Sequence, residues 1–83
     1  MNVRSMRYKI LRAAVDINRE TRASVTVREV IDYMHSTGLR QVPTMRSITN
    51  HLRGVFDLDD SGGFIIDHQM LILHAPDVKI EVE

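Results

Sequence analysis

The spacing of apolar residues changes at Gly54, and this change restricts the possible folds more than any other feature of the sequence. Before Gly54, apolar residues recur every three or four positions, as on one face of a helix. After it, they stand in short runs separated by Asp, Ser and Gly, as in strands joined by turns. The pattern predicts an α+β fold with the helices first. A chain of 83 residues has the length of one small domain, so we expect a single domain over 1–83, helical in 1–54 and β in 55–83.

Three helices are predicted before Gly54. The first covers 4–19, where four apolar residues recur at helical spacing: Met6, Ile10, Ala13 and Ile17. The second begins at the capping box Thr26-Val-Arg-Glu29 and ends near Gly38, which suits the left-handed conformation that stops a helix. Thr44 can cap a third helix that runs to Arg53. Between the first two helices, Val25 is expected to form a short extended stretch.

The part after Gly54 is predicted to be β-structure. The runs Val55–Leu58 and Phe64–Ile66 flank a turn of five residues, 59–63, and so indicate a hairpin. Met70–Leu73 is a further apolar run that we interpret as a strand. Val78–Glu83 alternates strictly between apolar and charged residues, as a half-buried strand does. These two segments predict a C-terminal strand extension of the hairpin.

Charge is divided unevenly between the two parts. Residues 1–53 contain ten basic and four acidic residues, a net charge of +6, and residues 54–83 contain one basic and seven acidic residues, a net charge of −6. A strongly basic part favours a polyanionic partner. The alternative interpretation is that two solvated surfaces differ in charge without a functional reason.

Several functional classes have no support in the sequence. The chain has no cysteine, which excludes disulfides, thiolate metal sites and thiol nucleophiles. It has no glycine-rich phosphate loop and no nucleophile motif, so we do not expect an enzyme. Residues 1–12 carry four basic residues and no long apolar run, which argues against a signal peptide or a membrane span and favours a cytoplasmic protein.

Metal binding is also not expected. The segment from Asp57 to Gly62 partly imitates a calcium loop, with oxygen ligands at alternate positions, but the position of the final bidentate Glu is occupied by His68. A turn rich in Asp and Gly explains the same residues. The four histidines have no metal-ligand spacing: His35, His51, His68 and His74. We therefore expect neither a metal nor a cofactor.

The predicted third helix has one polar and one apolar face. Its sequence is Thr44-Met-Arg-Ser-Ile-Thr-Asn-His-Leu-Arg53. A helical wheel places four residues on the face expected to be buried: Met45, Ile48, Leu52 and Val55. The chain resembles the winged helix-turn-helix superfamily of DNA-binding domains over residues 4–67. The shared features are three short helices, of which the third is rich in polar residues, and a hairpin after them. The resemblance implies that the third helix enters the major groove of double-stranded DNA and that the hairpin is the wing.

The polar face of this helix supplies the candidate DNA contacts. Arg side chains can donate two hydrogen bonds to guanine edges or to phosphates, Asn can bridge adenine, and hydroxyls can reach either. The candidates are Thr44, Arg46, Ser47, Thr49, Asn50 and Arg53 on the helix, and Arg28 and Arg40 outside it. The function expected is that of a small sequence-specific transcriptional regulator. The alternative is a winged-helix module for protein–protein interaction that does not bind DNA, because the acidic wing tip at 59–61 would repel phosphates.

The C-terminal strands predict a homodimer. Phe64–Ile66 and Met70–Leu73 are apolar at consecutive positions, so each strand would bury both faces, whereas three short helices can cover only one. The residues expected at the dimer interface are Ile72, Val78, Ile80 and Val82. The alternative is that these strands complete the core of a monomer.

Overall fold

A computed structural model describes residues 5–80 of the chain. Over that range the fold is α+β, with four helices and one antiparallel hairpin of two strands. The elements in chain order are α1 (Met6–Thr21), α2 (Val27–Ser36), α3 (Met45–Arg53), β1 (Asp57–Leu58), β2 (Phe64–Ile65) and α4 (His68–His74). The predicted α+β class is therefore confirmed, whereas the predicted start of the first helix at Arg4 lies outside the described residues.

The first three helices each begin at a hydroxyl side chain that accepts a hydrogen bond from an otherwise unpaired backbone N–H. Ser5 Oγ accepts from the amide of Tyr8 at 3.1 Å before α1. Before α2, the predicted capping box is present, since Thr26 and Glu29 each accept a hydrogen bond from the other's amide. Thr44 caps α3 as predicted. Gly38 has φ +80°, in agreement with its predicted left-handed conformation after α2.

The core lies between the three helices, which pack against one another in all three pairs. Its largest fully buried side chains come from the first three helices, from the stretch at position 25 and from β2: Ile10, Leu11, Val15, Val25, Val30, Ile48, Leu52 and Phe64. Phe64 belongs to the hairpin, and Leu71 of α4 is also buried. The hairpin and α4 thus close the end of the helical core instead of forming a separate layer.

The hairpin is joined to the helical part through Val25. β1 and β2 pair with Asp57 opposite Ile65 and Leu58 opposite Phe64. On the other side of β2, the amide of Val25 donates to the Phe64 carbonyl at 2.9 Å, and the Phe64 amide donates back at 2.7 Å. The predicted extended stretch at Val25 is confirmed. These two hydrogen bonds fix the position of the hairpin relative to α1 and α2.

The C-terminal part differs from its prediction. Met70–Leu73 lies within α4, so its interpretation as a strand was wrong. A run of four apolar residues is compatible with both a strand and a helix. The Asp67 carboxylate favours the helix, because it caps its first turn by accepting a hydrogen bond from the Gln69 amide at 2.8 Å. Residues 78–80 follow a turn and form no strand. The predicted strand extension is therefore absent from the described residues, and Glu81–Glu83 lie beyond them.

Candidate nucleic-acid interface

The predicted third helix is present as α3, and its two faces separate as expected with one exception. Ile48 and Leu52 are fully buried. The opposite side carries Arg46, Asn50 and Arg53, all exposed and spaced at four and three residues, which aligns them along one face of the helix. No acidic residue occurs in α3. The exposed face therefore presents two guanidinium groups and one amide with no carboxylate of its own helix beside them.

Met45 is the exception, because it is 52% exposed although the helical wheel placed it on the buried side. It is the first residue of α3 and stands at the edge of the apolar arc. At that end no preceding turn of the same helix covers the side chain. Met45 therefore adds an apolar group to the exposed end of the helix.

The candidate hydroxyl groups are partly engaged by the helix itself. Thr44 Oγ1 accepts the Ser47 amide at 3.2 Å, and the Thr49 hydroxyl donates to the Met45 carbonyl at 2.7 Å. The Ser47 carbonyl lies 2.8 Å from Nδ1 of His51, a residue that the sequence did not single out. Thr44 and Thr49 thus hold the first turns of α3 in place and retain only part of their hydrogen-bonding capacity for a ligand.

α3 is held at both ends. Beyond its last residue, the Gly54 amide donates to the Asn50 carbonyl and the Phe56 amide donates to the Leu52 carbonyl, at 3.2 and 2.7 Å. Phe56 is itself buried. The chain therefore enters the hairpin directly from the helix, without a loose linker between the polar face of α3 and β1.

The two arginines proposed outside α3 lie on different elements. Arg28 is in the first turn of α2, where its Nε stands 3.6 Å from the Asp32 carboxylate in an exposed i,i+4 pair. Such a pair in water contributes little to stability, so the Arg28 guanidinium can exchange this partner for another anion. Arg40 is exposed in the segment between α2 and α3 and borders an open groove together with Lys9 and Gln41.

The hairpin turn carries two acidic residues, Asp59 and Asp60, and the first of them has a structural role. Asp59 Oδ1 accepts the amides of Ser61 and Gly63, both at 2.9 Å. Hydrogen bonds from the hydroxyls of Ser24 and Ser61 and from the Gly63 amide lower the pKa of Asp59 to about 2. Asp60 is exposed beside it. The turn is therefore negatively charged at neutral pH, and Asp59 is the acceptor that shapes it.

A polar cluster that the sequence did not reveal joins α1 to α2. Arg12 Nε donates to Asp16 Oδ1 at 3.1 Å, the Tyr33 hydroxyl donates to Asp16 Oδ2 at 3.0 Å, and Arg12 Nη1 donates to the Tyr8 hydroxyl at 3.3 Å. Hydrogen bonds to Tyr8 and Asp16 raise the pKa of Arg12, and burial together with Asp16 raises the pKa of Tyr33. The sequence could have indicated the Arg12–Asp16 pair, because the two residues are four positions apart on one helix. It could not indicate Tyr33, which reaches Asp16 only because α2 packs against α1.

The predicted dimer residues are distributed over two environments. Ile72 is 70% exposed on α4 beside Leu73, which is 68% exposed. Val78 is only 8% exposed and belongs to the core of its own chain, and Ile80 packs against that core. The prediction that Val78 and Ile80 lie in a half-buried strand was wrong, because residues 78–80 form no strand. Val82 lies outside the described residues.

Comparisons with models of protein families, with curated proteins and with solved structures found no match to this chain. Within residues 5–80, no three His, Asp or Glu side chains stand close enough together to hold a metal ion. None of the described helices has the length and apolar character needed to cross a membrane. The geometry of the chain itself is thus the basis for a functional proposal.

Proposed function

We propose that this protein binds double-stranded DNA as a winged helix-turn-helix domain, with α3 in the major groove, and acts as a small cytoplasmic transcriptional regulator. The observation that carries the proposal is the exposed face of α3, where Arg46, Asn50 and Arg53 are aligned without an acidic neighbour on the helix. The order of three helices, an extended residue at position 25 and a hairpin after α3 is consistent with that architecture. α4 is an addition to it.

Each side chain on this face has a chemical role in the proposal. Arg46 and Arg53 can donate paired hydrogen bonds to the O6 and N7 atoms of guanine, or to phosphate oxygens. Asn50 lies between them and can bind the N6 and N7 atoms of adenine. Thr44, Ser47 and Thr49 are close enough along the helix to contact the backbone. Arg28 and Arg40 would bind phosphates and so orient the domain without reading sequence.

The hairpin has a different role from a basic wing. Its turn is negatively charged through Asp59 and Asp60, so like charge holds it away from the phosphate backbone. The hydrogen bonds between Val25 and Phe64 fix the hairpin to the helical part. In this proposal the hairpin serves to support α3 from the core side, and affinity comes from the basic helical part.

A mobility-shift assay at low salt tests the proposal. Duplexes recovered by selection from a random pool serve as probes, and the Arg46→Ala, Arg53→Ala double variant is compared with the wild type. We expect at least about a tenfold loss of affinity and a shallower dependence on salt. The Lys9→Ala, Lys79→Ala variant loses the same charge from positions outside α3 and is expected to keep most of the affinity. Equal affinity and equal salt dependence in the first variant would refute the role of α3.

A second candidate function, protein–protein interaction, is favoured by Ile72 and Leu73. Two large apolar side chains exposed side by side on a short helix are typical of a surface that is covered by a partner. We propose that this partner is a second copy of the chain, since the isologous contact of a two-fold dimer would cover Ile72 and Leu73 of both copies at once. Sedimentation equilibrium at micromolar concentration tests this: a dimer that Ile72→Ser dissociates supports it, and a folded monomer in the wild type excludes it.

A further inference from the structure

A cleft of about 410 Å³ lies where the end of α1 meets the start of α4, on elements other than α3. Three of the four residues that line it have basic side chains, and none is acidic: Asn18, Arg19, Arg22 and His68. In sequence, His68 is far from the others, so folding alone brings this group together. The cleft is a concentration of hydrogen-bond donors that the proposed DNA contacts do not include.

Arg22 occupies a backbone position that usually belongs to glycine. Its φ of 58° and ψ of 27° lie in the left-handed region, and it is the only described residue other than glycine with a positive φ. Its amide donates to the Asn18 carbonyl at 2.7 Å and so ends α1. A side chain in this conformation costs more than a cation at a helix C-terminus gains from the helix dipole. Arg19 already provides such a cation in the last turn.

Three of the lining residues, Asn18, Arg22 and His68, have polar groups without a partner among residues 5–80. Arg22 is exposed, and no hydrogen bond or ion pair of its guanidinium is found within residues 5–80. Asn18 donates one amide proton to the Ala23 carbonyl at 2.8 Å, which leaves the second. His68 Nδ1 is buried without a hydrogen-bond partner. An anion in the cleft would provide acceptors for the Arg22 guanidinium and for the second amide proton of Asn18.

We propose that this cleft binds a phosphate group, held mainly by the guanidinium of Arg22 with Arg19 and His68 beside it. The planar guanidinium matches two oxygens of a tetrahedral oxyanion, and a second cation neutralises the remaining charge. The group can be a free phosphate, as in a phosphorylated small molecule, or a phosphodiester of a bound duplex. The presence of arginine at a left-handed position is explained by this contact, because glycine would fit the backbone better but bind nothing.

The substitution Arg22→Gly tests the proposal without endangering the fold. It removes the guanidinium and relieves the left-handed strain, so its melting temperature is expected to equal or exceed that of the wild type. In the first arm, inorganic phosphate is titrated at constant ionic strength while the amides of Asn18 and Arg22 and the ring of His68 are followed by NMR. Lys9→Gln, which loses one charge outside the cleft, is the control.

Saturable shifts at these groups in the wild type and in Lys9→Gln, with at least a tenfold weaker response in Arg22→Gly, would support binding of free phosphate. In the second arm, duplex DNA is titrated in phosphate-free buffer at several salt concentrations. A salt dependence reduced by about one ion in Arg22→Gly would identify the phosphodiester as the ligand. If phosphate produces only unsaturated shifts at basic residues in general and the duplex arm shows no difference, the cleft is an ordinary solvated surface and the proposal is wrong. The titration with inorganic phosphate tests the cleft independently of the proposed function, because it gives a result even if the protein binds no DNA.

Discussion

Adding one methyl group at Gly63 would strain the contact between the hairpin and the helical part. A Cβ at this position would lie 2.5 Å from Ser24 Oγ and 2.9 Å from Ser24 Cβ, well inside van der Waals contact. The Ser24 hydroxyl cannot simply rotate away, because it donates a hydrogen bond to the Asp59 carboxylate. Gly63 has no positive φ, so the expected cost of Gly63→Ala arises from this close approach and not from backbone strain.

The size of the expected loss in stability follows from the usual cost of overpacking a protein core. Overpacking of one methyl group against a fixed neighbour costs about 1–3 kcal/mol. In a domain of this length each kcal/mol corresponds to roughly 4–8 °C in melting temperature. We therefore expect Gly63→Ala to lower the free energy of unfolding by about 2 kcal/mol and the melting temperature by about 8–16 °C. The added strain lies next to Val25 and Phe64, whose hydrogen bonds hold the hairpin.

Urea and thermal denaturation followed by circular dichroism measure this loss, with two further variants as controls. Gly62→Ala has open space around the new Cβ but a φ of +89°, so only the backbone penalty of about 1 kcal/mol is expected. Ser24→Gly removes the two nearest atoms that a Cβ at Gly63 would meet and leaves only the Ser24 carbonyl carbon at 3.4 Å, so the loss on adding Gly63→Ala to it should be much smaller. A Gly63→Ala variant as stable as the wild type, or an equal loss in the Ser24→Gly background, would refute the packing argument.

Three further outcomes are expected from the hydrogen bonds of the fold. Thr26→Ala removes half of the capping box of α2 and should lower the free energy of unfolding by about 1 kcal/mol in urea denaturation, whereas Thr26→Ser should not. Tyr33→Phe leaves one oxygen of Asp16 without its tyrosine donor and should cost about 1 kcal/mol, while the midpoint of the DNA titration stays unchanged. The pKa of Asp59 is lowered from 3.8 to about 2, so its ionised form stabilises the fold above pH 4 and this contribution disappears as the pH falls towards 2. Stability measured between pH 7 and pH 2 should therefore fall less in Asp59→Asn than in the wild type, and an identical fall would contradict the assignment.

Local signals in the sequence were sufficient for the helical part and the hairpin. The capping box at Thr26 and the glycine at position 38 depend on interactions within a few residues, so the sequence contains all the information needed. The turn at 59–63 is local in the same way, because Asp59 accepts amides two and four residues ahead. α4 was missed because four consecutive apolar residues carry no period, and only the cap at Asp67 distinguishes a short helix from a strand.

The candidate interface was predictable to the extent that it lies on one helix. The alignment of Arg46, Asn50 and Arg53 follows from helical spacing alone. The exposure of Met45 does not, since it depends on where the neighbouring elements end. The cleft at Arg22 was beyond the reach of sequence patterns, because it requires both the conformation at the end of α1 and the distant approach of His68.

The pair of hydrogen bonds between Val25 and Phe64 also constrains the order in which the chain can fold. It closes a loop of about 40 residues, and closing a flexible chain of that length costs about 3 kcal/mol of entropy. Two hydrogen bonds in water do not offset such a cost. The loop contains α2 and α3, and once these helices have collapsed onto α1 the two ends are already near each other. Docking of the hairpin is therefore a late step in folding, and a nascent chain that ends before Phe64 cannot complete it.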